Sequence, residues 1–167
     1  MTRKRLLWLL GLGLSFATIL LWRSPEGRLE SELAHAATQL SYARDESPDA
    51  RAARFRETCT KWLDDSSRIS LDGAGVYTGH DATLRALTDL AAARPRAYFE
   101  IERVEVRIEG DARASAVGLI NVSDSQVGDL HRDQRRLDIS LFKTASGWKI
   151  QMLRVGEADN TQPWERP

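Results

Sequence analysis

Hydrophobic periodicity changes near Tyr98, and that change limits the folds open to this chain. Before Tyr98 apolar residues recur at helical spacing, and after it they alternate. A period of 3.6 and a period of 2 cannot serve the same element. The chain must therefore set N-terminal helices against a C-terminal sheet, an α+β arrangement. Phe99 and Ile101 share one face, and Val104, Val106 and Ile108 follow in the other phase. That slip near Glu102-Arg103 predicts a β-bulge. Gly110-Asp111 reads as a tight turn. In the next strand Ala112, Ala114, Ala116, Gly118, Ile120 and Val122 line one face, with Val117 and Leu119 opposite. A strand apolar on both sides is central, or has one face covered by a partner chain; a homodimer through the sheet face fits the latter. Ser123 to Asp133 reads as a polar loop. Leu137, Ile139 and Leu141 form one more strand, and Trp148, Ile150 and Met152 form the return strand.

The helical half is read the same way. Leu29, Leu33, Ala36, Ala37 and Leu40 make one apolar stripe. Ser47 or Asp49 suits the cap of a second helix. On that helix Phe55, Cys59, Trp62 and Leu63 fall at i, i+4, i+7 and i+8. Asp64-Asp65-Ser66-Ser67 ends it. Ile69 and Leu71 mark a short strand, and Gly73 and Gly75 a turn. Thr78, three residues before Asp81, predicts a capping box for a third helix near Gly79. Leu84, Leu87, Leu90 and Ala91 are its expected buried stripe.

The N-terminus differs from the rest. Arg3, Lys4 and Arg5 precede an uncharged apolar run, Leu6 to Trp22, with Trp8 and Trp22 near its ends. The run is close to the ~20 residues of a spanning helix. Its positive flank puts the N-terminus in the cytoplasm and the domain outside. The expected location is the inner, cytoplasmic membrane, single-pass, with the domain in the periplasm of a Gram-negative cell. A cleaved signal peptide is the alternative; no small-x-small site follows the run directly, and Ala34-His35-Ala36 fits the cleavage pattern but lies far downstream. The expected organisation is an anchor over 1–23, a tether over 24–28, a domain over 29–156 and a polar tail over 157–167. The whole chain balances 24 basic against 24 acidic residues. Four of the basic ones, Arg3, Lys4, Arg5 and Arg23, belong to the acid-free leader. The domain is thus mildly acidic, which argues against nucleic acid as a partner.

Trp62-Leu63-Asp64-Asp65, the strand Arg68 to Asp72, Gly79-His80-Asp81-Ala82 opening a helix, and Gly147-Trp148-Lys149-Ile150 in the last strand occur in that order. In this the chain resembles the nuclear transport factor 2-like superfamily, in particular its SnoaL-like branch, over roughly residues 29–156. The resemblance implies a cone-shaped, cystatin-like fold, with a curved antiparallel sheet packed on N-terminal helices. It also implies a cavity entered by a carboxylate near Asp72. Related isomerases and cyclases use such a group as general base on an acidic C–H. Here no Tyr stands where the oxyanion donor is expected; Tyr42 lies near a helix end instead. Asp72 before Gly-x-Gly equally suits a turn or a pocket wall. Trp62, Tyr77, His80 and Asp138 complete the expected ligand-binding set, with Arg136 and Asp138 on a strand face of either orientation.

Other chemistry has no foothold. His35, His80 and His131 lack ligand spacing, so no metal is expected. Gly73 to Gly79 departs from the dinucleotide fingerprint by one residue and no βαβ unit follows, so no cofactor is expected. Cys59 is the single cysteine and sits on an apolar helix face. Two classes of function remain. One is a membrane-tethered, non-catalytic module binding a small apolar ligand or a protein partner. The other is a small isomerase, cyclase or dehydratase using Asp72. The tether and the missing donor favour the first.

Overall fold

In this computed structural model, residues 24–126 and 129–158 are described. Ser24 caps the first helix by accepting from the Gly27 N–H at 3.0 Å, and Pro25 occupies its first turn. Helix α1 spans Pro25–Leu40, so residues 24–28 are its cap and first turn and not the expected free tether. Pro at that position loses nothing, because its N–H would have no helical partner. Ser47 caps α2, Pro48–Trp62, from the same kind of Ser-Pro pair. Strands β1, Arg68–Leu71, and β2, Gly75–Thr78, form a hairpin before α3, His80–Ala93. The capping box fails. Thr78 ends β2, and the cap is Gly79 at φ 88° with no side-chain bond. Thr78 is committed to its pairing with Arg68, which leaves Gly79 to make the sharp entry into α3.

Four long strands follow: β3, Ala97–Glu109; β4, Arg113–Gln126; β5, Asp129–Thr144; and β6, Gly147–Glu157. The sheet order is β2-β1-β6-β5-β4-β3. The sheet is not wholly antiparallel as expected, because β1 pairs with β6 in parallel, Arg68 beside Met152 and Leu71 beside Val155. The turn after α2 delivers β1 to the free edge of β6, and β2 extends the sheet from there. The expected loop over Ser123–Asp133 is also corrected. Residues 123–126 and 129–133 are the distal part of the β4–β5 pair, with Val122 opposite Asp133 and Gln126 opposite Asp129. Polar side chains there misled the pattern, but backbone pairing continues without them.

Two bulges curve the sheet. One lies between Ile101 and Arg103, as the slip predicts, and one opposite Ser140 and Leu141. The concave face carries Val106, Ala114, Ala116, Leu137, Ile139, Leu141 and Ile150. Leu29, Leu33 and Trp62 pack on it, and Phe55, Cys59, Leu63 and Ile69 form a second cluster beside it. Lys149 of the Gly-Trp-Lys-Ile segment ties the sheet to α2. Its ammonium donates to the carbonyls of Thr60, Lys61 and Leu63 at 3.1, 2.8 and 3.2 Å. A cation there satisfies orphan carbonyls and meets the negative end of the helix.

Cys59 is buried, and burial alone pushes its thiol up to about 12 from an ordinary 9.0. Two results follow. The native thiol should resist iodoacetamide at pH 8 and react once denaturant opens the fold. The unfolded thiol ionises first, so stability should fall as pH rises from 9.0 toward about 12. A Cys59→Ser variant should lack this alkaline slope, read from denaturant midpoints across that range.

Candidate functional site

Helix α3 packs on the second core cluster through Leu84, Leu87 and Ala91. Thr83 is its only fully buried residue, while Leu84, Leu87 and Ala91 are half-buried and Leu90 is exposed. Leu87, Leu90 and Ala91 of the expected stripe also line a cavity. Small residues opposite help to leave that space, namely Ala36 and Ala37 on α1 and Ala91 on α3. The cavity measures about 600 Å³. Its inner wall is Leu33, Phe55, Cys59, Trp62, Ile139 and Ile150. Toward the opening stand Leu40, Leu87, Leu90, Phe99, Ile120 and Val122.

Ionisable groups enter this lining at the opening. Asp72, Asp133, Arg135 and Arg94 are there. Asp72 follows β1 directly, and its backbone N–H donates to Val155 O at 2.9 Å. Gly73 next to it takes φ 73°, a left-handed angle that a side chain resists. Asp133 and Arg135 step back by two from Leu137 and Ile139, so they share the concave face. The Arg135 Nε and NH2 groups both meet Asp133 Oδ2, each at 2.8 Å. Its NH1 faces Asp72 Oδ2 at 3.6 Å, an ion pair longer than a hydrogen bond. Asp133, then Asp72 and Glu157, hold the Arg135 guanidinium above its ordinary range, Asp133 most.

The expected site residues separate into two groups. Trp62 and Asp72 line the cavity, Trp62 buried and Asp72 half-exposed. Tyr77, His80 and Asp138 do not line it. Tyr77 donates its hydroxyl to Ala74 O at 2.6 Å and so braces the turn that carries Asp72. His80 Nδ1 lies 2.8 Å from Asp81 Oδ1 in the first turn of α3. Asp138 lies between inward Leu137 and Ile139, so it points to the far face, where it binds Arg136 NH2 at 2.9 Å. The sequence reading missed Asp133 and Arg135. The signal was present, since alternation carried back from Leu141 reaches both.

The chemistry available is simple. An apolar body fits the cavity, and its polar end meets two carboxylates and two guanidiniums. Among the described residues no three His, Cys, Asp or Glu side chains gather as a metal site.

This architecture, a curved sheet with three helices on its concave face, is the nuclear transport factor 2-like, cystatin-like fold of the solved structures it matches. One is a nuclear transport factor 2-like protein with a cystatin-like fold from Novosphingobium aromaticivorans. It shares 16% identity at TM-score 0.60, over 89% of this chain and 90% of that one. A superfamily member from Salmonella enterica serovar Typhimurium gives 11% identity and TM-score 0.60, over 84% and 98%. A proposed dehydratase of the family from Streptomyces avermitilis gives 18% and 0.59, over 80% and 93%. Identities this low speak for the fold alone. No known family model matches the sequence, and no curated protein does.

Proposed function

We propose that this is a ligand-binding module of the SnoaL-like branch, held outside the cytoplasm by a membrane anchor over residues 6–22. It takes a small apolar molecule whose polar end rests at the Asp72–Arg135–Asp133 rim. The observation that carries this reading is the cavity, apolar within and charged only at its opening. Such a division orients a ligand: burial of the body supplies affinity and the rim fixes direction. No helix among the described residues is long and apolar enough to cross a membrane, and Leu6–Trp22 lies outside them. The anchor rests on the sequence pattern. Glu30 of α1 meets Val106 and Ser41 meets Phe99, so the cavity opens near the far end of a 16-residue helix. That is about 24 Å along its axis, at 1.5 Å per residue.

A second reading is catalysis. The donor that the sequence lacked is supplied in kind by Arg135, close to Asp72 on the same wall. A carboxylate and a cationic donor could move a proton and hold the resulting anion. Two features rank it second. Asp72 is 53% exposed, and Arg135 already donates its Nε–H to Asp133 and is ion-paired with it.

The test is complementation of a deletion strain at matched expression. Asp72→Asn, which keeps an amide oxygen at the rim as acceptor, should weaken the cellular role without abolishing it and change stability by about 1 kcal/mol or less. Removing residues 1–23 should abolish the role, and the full chain should resist carbonate extraction from membranes. A null phenotype for Asp72→Asn with unchanged melting would overturn the binding reading in favour of catalysis. Release of a mature form beginning near Ala37 would overturn the anchor.

A further inference from the structure

The rim has a geometry that selects among ligand ends. Arg135 is pinned from one side by Asp133, so its NH1 edge is presented in a fixed direction. Across from that edge, Asp72 Oδ2 stands 3.6 Å away, too far to be hydrogen-bonded to it. An acceptor and a donor therefore face one another with one interaction unmade between them. A ligand carboxylate would meet Arg135, with Arg94 on the same opening, but also Asp72 and Asp133. A ligand ammonium would meet Asp72 but also Arg135, with Arg94 on the same opening. A hydroxyl satisfies both at once. It donates to the carboxylate at about 2.5–2.7 Å and accepts from the guanidinium at about 2.7–2.9 Å. It also enters an apolar cavity at far lower desolvation cost than either charge.

We propose that the cavity selects apolar molecules ending in a neutral hydroxyl, bridged between Asp72 and Arg135. This rests on the cavity being the ligand site. Asp133 is then a positioning residue, holding the guanidinium in line.

The experiment displaces the neutral fluorophore N-phenyl-1-naphthylamine from the full chain, held in amphipol, with decan-1-ol, decanoate and decylammonium. The three share one chain length, so they differ only at the end. Decan-1-ol should displace the probe at about tenfold lower concentration than either ion, the scale of one hydrogen bond to a charged group. Arg135→Gln leaves the rim acidic, so decylammonium should overtake decan-1-ol. Asp72→Asn, on a half-exposed turn, should shift the order toward decanoate and serves if Arg135→Gln does not fold. If the fluorophore fails to bind the wild-type chain, the cavity reading falls and this proposal with it. If it binds and either ion displaces it as well as the alcohol, or the variants leave the order unchanged, the hydroxyl assignment alone is overturned.

Discussion

Trp62→Ala should cost about 3–5 kcal/mol of stability, the range for deleting a buried Trp. Trp62 is 5% exposed and joins Leu29, Leu33 and Ile139 in the main core cluster. It also lines the cavity, so the removed indole would merge into space already empty. A site that cannot collapse loses contacts on every side, which places the cost in the upper half of that range. Urea or guanidinium midpoints with an unchanged slope would measure it. A wild-type midpoint would mean that this helix face does not carry the core.

Gly118→Ala should cost about 3 kcal/mol, the upper part of what overpacking usually costs. A Cβ at Gly118 would stand 2.4 Å from Arg103 O, 3.1 Å from Val104 Cα and 3.2 Å from Val104 Cβ. Backbone at a bulge cannot swing aside like the end of a side chain. Either the β3–β4 register opens at Arg103 or the bulge moves. Gly156→Ala is the control, because nothing stands within 4 Å of its added methyl. It should change stability by less than about 0.5 kcal/mol. Equal midpoints for the two variants would show that β3 relaxes freely at its bulge.

Local periodicity reached far into this fold. Phe55, Cys59 and Trp62 lie on one buried face as their spacing requires, and the slip at Glu102-Arg103 is a bulge. The Gly-Trp-Lys-Ile segment is a strand whose lysine closes a helix end, although only the fold shows what the lysine binds. Periodicity failed where polarity imitates a loop. Asp133 and Arg135 were hidden because a polar strand end and a loop have the same composition. Alternation still marked their face, since it rises from chain geometry and not from burial.

The sequence by itself determined the α+β division, the core stripe of each early helix, and which residues of β3 to β5 share a face. Those properties follow from chain periodicity and from the cost of leaving apolar area in water. In β6 the bulge leaves Met152 exposed and sets Leu153 and Val155 against the core. Only the tertiary structure decided that β1 lies parallel beside β6, that Asp138 points away, and that Asp72 meets Arg135. Residues 72 and 135 are remote in the chain, and no local pattern encodes their distance. It is set by the register of β1 on β6 and of β6 on β5, with Leu71 beside Val155 and Val155 beside Leu137. The cavity has the same origin. It is the volume left when helices of fixed diameter lie across a bulged sheet and the facing Ala36, Ala37 and Ala91 of those helices are too small to fill it.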